Sequence, residues 1–113
     1  MLRLLAEPAL AAFSKRYDYD VSYMRAMLAA SPKAFLRLYD ITKAATHREA
    51  APKAAYYAAK LVGALFEDCG PCTQLVINMA QEAGVDAAQI EAVLRRDVSA
   101  MSPETALGFD FAE

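Results

Sequence analysis

The placement of proline constrains this chain more than any other feature. The five prolines stand at positions 8, 32, 52, 71 and 103. Pro32 and Pro103 each follow a serine, the pairing of an N-cap residue with proline at the first helical position. Between the prolines, no stretch alternates apolar and polar residues for long enough to argue a strand, while apolar residues recur at helical intervals. The sequence therefore predicts an all-α fold.

Leu2 to about Tyr17 forms the first expected helix, with Pro8 opening a fresh turn or bending the element. Asp20 can cap the second, whose apolar face is Met24, Met27 and Leu28. Ser31-Pro32 opens a third, with Phe35, Leu36, Leu38 and Tyr39 turned inward, fading near His47. The segment from Pro52 to about Asp68 is rich in alanine. Lys53, Lys60 and Glu67 fall seven apart and make one polar line, so this is expected to be a central helix surrounded by protein. A helix from the Cys69-Gly70-Pro71-Cys72 motif to about Ala83 turns Cys72, Leu75, Val76, Met79 and Ala83 inward and ends at Gly84. Asp86 and Gln89 have capping-box spacing ahead of a helix with Ile90, Val93, Leu94 and Val98 inward and Glu91, Arg95 and Arg96 outward. Ser102-Pro103 starts the last helix. Its Leu107, Phe109 and Phe111 are expected either to dock on a neighbouring subunit or to belong to a longer chain of which this is a fragment.

At 113 residues with 57% hydrophobic and 23% charged residues, the chain is expected to form one domain spanning 1–113. Twelve basic against fourteen acidic residues give a net charge of -2 and a pI near 5.4, with no basic stripe, which argues against nucleic acid as a partner. The longest apolar run, Ala54 to Phe66, is interrupted by Lys60 and falls short of the roughly 18 residues a membrane helix needs. The start, Met1 to Pro8, lacks the features of a secretory signal, and a cytoplasmic location is expected.

Two cysteines three residues apart cannot make a disulfide framework; in a reducing compartment such a pair is redox-active, metal-binding or core. A structural zinc needs four ligands, and one CxxC with the single distant His47 supplies three at most, so neither a metal nor another cofactor is expected. As a dithiol, the pair can close a small ring and carry two electrons. Pro71 and Cys72 fall where a helix begins, where free N–H groups and the positive end of the helix dipole favour thiolate. Val76, one turn beyond Cys72, cannot take a proton. A base would have to be Tyr56, Tyr57, Lys60, Glu67 or His47, although the tyrosines also suit a core, Lys60 and Glu67 a solvated line, and His47 a surface or capping position. Cys-Gly-Pro-Cys is also the tetrapeptide of thioredoxin, but there the motif lies near the start and follows a buried strand, so that fold is excluded.

The stretch from Cys69 through Val76, Ala80 and Gly84 to Ile90 resembles the motif region of the carboxymuconolactone decarboxylase and alkylhydroperoxidase D-like (AhpD-like) superfamily. That family shows Cys-x-x-Cys, then histidine, alanine and glycine at four-residue intervals, then a helix carrying an isoleucine. The resemblance runs from about Pro52 to Glu113 and implies a helical bundle with the CxxC motif at the N-terminus of a central helix, assembled as a homo-oligomer, trimeric or larger. It also implies that Cys72 is the reactive thiol, that Cys69 resolves it, and that a histidine and a glutamate relay the proton. The histidine position here is Val76 and the glutamate position Tyr57, so both relay groups are replaced; losing general acid–base help commonly costs about 100-fold to 10,000-fold. The function expected is that of a thiol-dependent oxidoreductase reducing a peroxide or a disulfide, recharged by an external dithiol or thiol. The alternatives are a non-catalytic helical oligomer or binding module, and a redox sensor.

Overall fold

The computed structural model describes residues 1–113 as seven α-helices with no strand, in agreement with the all-α expectation. They are α1 (Leu2–Tyr17), α2 (Ser22–Ala30), α3 (Pro32–Ala45), α4 (Lys53–Phe66), α5 (Gly70–Glu82), α6 (Ala87–Leu94) and α7 (Pro103–Ala112), with a 3₁₀ turn at Val98–Ala100. Where length predicts one domain, the contacts divide into two compact units, Met1–His47 and Arg48–Glu113.

In the N-terminal unit, α1 runs unbroken through Pro8 and ends with Asp18 in the left-handed region. The Tyr19 N–H then reaches back to the Ser14 carbonyl at 3.1 Å, and the Ser14 hydroxyl donates to the Tyr19 carbonyl at 2.7 Å. Asp20, expected to cap α2, lies one residue before the N-cap, Val21, which makes no side-chain cap bond; its carboxylate instead accepts from the Ser22 N–H at 2.9 Å and the Ser22 hydroxyl at 2.8 Å. Those two bonds, the backbone one first, hold its carboxyl below the ordinary range. The core is small: Leu10, Val21 and Leu28, with Phe13, Met24 and Phe35 against it. Val21, fully buried, carries no periodic signal in the sequence. Arg25 joins α2 to α1 through Glu7 at 2.7 Å, a half-exposed pair of small energetic value.

Ser31 caps α3 as expected, accepting from the Ala34 N–H at 3.2 Å. The inward face expected for α3 is only partly formed. Phe35 and Leu38 are half-buried, Leu36 and Tyr39 are exposed, and no α3 residue is fully buried. The reason is that α3 packs chiefly on α2 within its unit, which covers one narrow stripe.

In the C-terminal unit α4 is the hub, packed by α5, α6 and α7. Its inward stripe is Ala55, Ala58, Leu61 and Val62. Encirclement, however, is not observed: Gly63 and Phe66 are exposed, and Tyr56 and Lys60 are half-exposed. Lys60 donates to the Tyr56 hydroxyl at 3.1 Å with its ammonium over that ring, so α4 keeps one open face. The core joins Ala58, Leu61, Val62, Val76, Ala80, Ile90, Val93 and Phe109. Tightest is the α4–α7 crossing, where Gly108 sits so close to α4 that a Cβ there would fall 1.9 Å from the Ala55 carbonyl oxygen.

On α5 the buried residues are Val76 and Ala80, with Ile77 also packed on the core. Leu75 and Met79 are only half-buried, so the inward stripe lies one position round from the expected one. Gly84 ends α5 as expected, in the left-handed region with φ 86°. Its N–H bonds to the Gln81 carbonyl, and that of Val85 to the Ala80 carbonyl. Asp86 caps α6 through the Ala88 N–H at 3.1 Å, but Gln89 does not complete a capping box. Its amide instead accepts from the Ser102 N–H at 2.7 Å and donates to the Ala100 carbonyl at 3.2 Å, fastening α6 to the start of α7. Val98 is 51% exposed rather than inward, because α6 stops at Leu94.

Ser102 caps α7 through the Thr105 N–H at 3.2 Å. Phe109, expected on a neighbouring subunit or a longer chain, is buried in the core of its own unit, with the Arg96 guanidinium over its ring. Leu107 and Phe111 are exposed, the latter 88%.

Candidate active site

The motif is made where two helix ends meet across a three-residue connection. Helix α4 stops when Asp68 enters the left-handed region at φ 50°. Its N–H bonds to the Leu65 carbonyl at 3.1 Å and that of Cys69 to the Ala64 carbonyl at 3.4 Å, which closes the last turn and consumes two of its free carbonyls. Aspartate tolerates this conformation better than most residues other than glycine. Cys69 is itself extended, φ -101° and ψ 96°, the backbone of an N-cap, and α5 begins at the next residue. Cys69 thus takes part both in closing α4 and in opening α5, with only Glu67, Asp68 and Cys69 between the two helices.

The cap is made by sulfur. Cys69 Sγ accepts the backbone N–H of Cys72 at 3.3 Å, where a serine or aspartate oxygen would ordinarily sit. The Cys69 carbonyl accepts twice from Thr73, from its N–H at 2.9 Å and from its hydroxyl at 2.9 Å. Pro71 occupies the second helical position, where its missing N–H removes a donor that would otherwise need a partner. Gly70 faces open space: a Cβ on it would meet nothing within 4 Å.

Cys69 and Cys72 are joined as a disulfide, their Cα atoms 5.2 Å apart, well within the span such a bond bridges. Both are partly exposed. The motif is thus a closed small-ring disulfide at the positive end of a 13-residue helix.

No ionisable side chain hydrogen-bonds to either sulfur. Val76, one turn beyond Cys72, is part of the core. Tyr56 and Lys60 are engaged with each other. Tyr57 lies on the side of α4 toward α6 and α7, lining a hollow of about 10 Å³ with Leu61, Gln89, Val93 and Thr105, room for about one water. Burial first, then Tyr56 and Glu82, pushes the Tyr57 phenol above its ordinary value, so it stays protonated at neutral pH. Glu67 is exposed at the end of α4, and His47 is exposed at the end of the N-terminal unit. The structure brings Cys69 and Cys72 together, and Tyr56 with Lys60, but joins none of the candidate bases to either sulfur. Asp68 and Thr73, which fix the cap from either side, carry no sequence signal beyond their nearness to the cysteines. No group of three or more histidine, cysteine, aspartate or glutamate side chains is arranged to hold a metal ion.

No protein-family model, no curated protein and no solved structure matches this chain.

Proposed function

We propose that the protein is a thiol–disulfide oxidoreductase of the alkylhydroperoxidase D-like type, its Cys69–Cys72 pair cycling between dithiol and disulfide at the expense of an external dithiol or thiol. One observation carries this reading: the two cysteines are partly exposed, bonded to each other, and seated on the N-terminal turn of α5, with sulfur serving as the helix cap. A purely structural pair has no need of that position, whereas a redox pair gains thiolate character from it. The helical hub of α4 with α5, α6 and α7, and the motif-to-Ile90 spacing, support the family assignment. The cycle needs a reducing compartment, and the cytoplasm is the one we assign; no helix is long and apolar enough to cross a membrane.

The test is turnover. Reduced protein given hydrogen peroxide or a small disulfide, with dithiothreitol as donor, should turn over catalytically, and the double variant Cys69→Ser, Cys72→Ser should lose all activity above background. Equal rates in parent and double variant would end the proposal.

A second observation favours self-association. Leu36, Tyr39 and Ile41 of α3 are exposed, and no residue of that helix is fully buried, a surface that a further copy of the chain would cover. Light scattering should give a mass of three or more chains that falls when Leu36 and Ile41 are changed to lysine; a monomeric mass for the parent would refute it.

A further inference from the structure

We propose that the attacking sulfur is Cys69 rather than Cys72, and that its target is a disulfide rather than a hydroperoxide. This rests on the dithiol reading above and assigns that site its nucleophile and substrate class. The two sulfurs are not equivalent. Cys69 Sγ lies at the cap, where it accepts the Cys72 N–H at 3.3 Å along the axis of α5; a negative charge there meets a donor already aimed at it and the positive end of the helix dipole. Cys72 lies three residues into the helix, its sulfur accepts no hydrogen bond, and the residue one turn on is the buried Val76. Negative charge is therefore better placed on Cys69. Approach is open too, since Gly70 faces empty space and Pro71 is exposed.

The substrate class follows from what leaves. Cleaving a hydroperoxide expels an alkoxide or hydroxide, a far stronger base than a thiolate and so a far poorer leaving group. Such a group departs readily only when an acid delivers a proton. Cleaving a disulfide expels a thiolate, whose conjugate acid lies near 8.5, and needs no such help. With no ionisable side chain hydrogen-bonded to either sulfur, Lys60 engaged by Tyr56, Val76 one turn beyond Cys72, and Glu67 and Asp68 turned to solvent just before the motif, no acid is held against the sulfurs. Disulfide exchange is the reaction that does not require one.

The electron count closes. Cys69 thiolate attacks one substrate sulfur, forming a mixed disulfide while the substrate S–S bond breaks and its pair leaves on the other sulfur. Cys72, having lost its proton to solvent, attacks Cys69 Sγ, forms the Cys69–Cys72 bond and expels the second substrate thiolate. The substrate gains two electrons, the pair ends as the disulfide described above, and an external dithiol reduces it again by the reverse exchange.

The test uses the full chain, reduced and then freed of reductant. In wild-type protein, iodoacetamide in short pulses followed by peptide mass analysis should label Cys69 at least about tenfold faster than Cys72, a difference that one unit of thiol pKa can produce at neutral pH. With oxidised glutathione, Cys72→Ser should accumulate a stable mixed disulfide on Cys69. Cys69→Ser, which keeps a serine able to cap α5, should accumulate about tenfold less in the same time. Wild-type protein should consume the disulfide at least about 100-fold faster than cumene hydroperoxide, the lower end of what a missing general acid costs. Faster labelling of Cys72, or hydroperoxide reduction as fast as disulfide reduction, would overturn the inference while leaving the oxidoreductase intact. Wild-type cysteines that react with neither reagent until the protein is unfolded would overturn both.

Discussion

Helices α3 and α4 invite comparison: each is 14 residues long, each starts beside a proline, and each carries leucines and tyrosines among alanines. Leu61 of α4 is 1% exposed, whereas Leu36 of α3 is 45% exposed. What separates them is the number of charged positions and the size of the residues at the crossing. In α4, Ala55 and Ala58 let neighbouring backbones come close, and Gly108 of α7 takes up that space to the point of contact. In α3, Lys33, Arg37, Asp40 and Lys43 fall at three- and four-residue intervals and keep much of the helix in water. Two of the resulting ion pairs, Arg37–Asp40 at 3.8 Å and Asp40–Lys43 at 3.5 Å, are exposed and stabilise little. An amphipathic helix gains a core only when its partners can approach it.

The sharpest way to break the contrast is at the α4–α7 crossing. Gly108→Ala gains roughly 1 kcal/mol of helix propensity but drives a methyl group into the Ala55 carbonyl, so the net loss should be about 3 kcal/mol. Urea unfolding would read it, and a neutral result would mean that the two helices are not in backbone contact. Comparable in size, Leu61→Ala should cost about 2 to 5 kcal/mol, against less than about 0.5 kcal/mol for Leu36→Ala. Similar midpoint shifts for the two would erase the distinction between the helices.

A smaller effect separates the helix ends. Gly84→Ala meets nothing within 4 Å, so its cost should be backbone strain alone, about 1 kcal/mol, while Asp68→Gly at the end of α4 should be neutral or slightly stabilising. Thermal melts of the two variants would check the order. The smallest expected effect is on pH. The Asp20 carboxyl is held low by Ser22, so its contribution to the N-terminal unit is present above the ordinary carboxylate range and is lost as pH falls through its depressed value. Asp20→Asn should flatten that acid dependence in a melting series, and a variant as acid-sensitive as the parent would remove Asp20 from the explanation. Alkaline pH does not separate the units. Tyr23 in the first and Tyr57 in the second are both raised by burial, so each contributes stability below the ordinary tyrosine value that is lost as pH rises through its own.

The helices were legible in the sequence because their starts are written in side chains. Ser31, Asp86 and Ser102 each accept the N–H that their position predicts. The ends were less so. Four helices close through a residue in the left-handed region, and only Gly84 announces it; Asp18, Asp68 and Arg96 do the same without glycine. Arg96 is held there by its ion pair with Glu113 and its stacking on Phe109, contacts formed with α7 that no local pattern contains. Gln89 misled for a related reason: capping-box spacing is local, but its amide found the chain near Ser102. The division into two units was illegible as well, since length alone fits one domain. Of the site, the cysteine pair and its helix-start position could be read directly. That sulfur itself is the cap could not, because the cap depends on Asp68 turning the chain just before it.

The central claim, that Cys69 and Cys72 are a working redox pair and not packing, is tested most directly by counting thiols in the native protein. After reduction and removal of the reductant, the folded chain should show two reactive thiols. Both should vanish together during a short pulse of oxidised glutathione, and both should return with dithiothreitol while the far-ultraviolet circular dichroism stays unchanged. Thiols that become reactive only after unfolding would contradict the account and return the pair to the core.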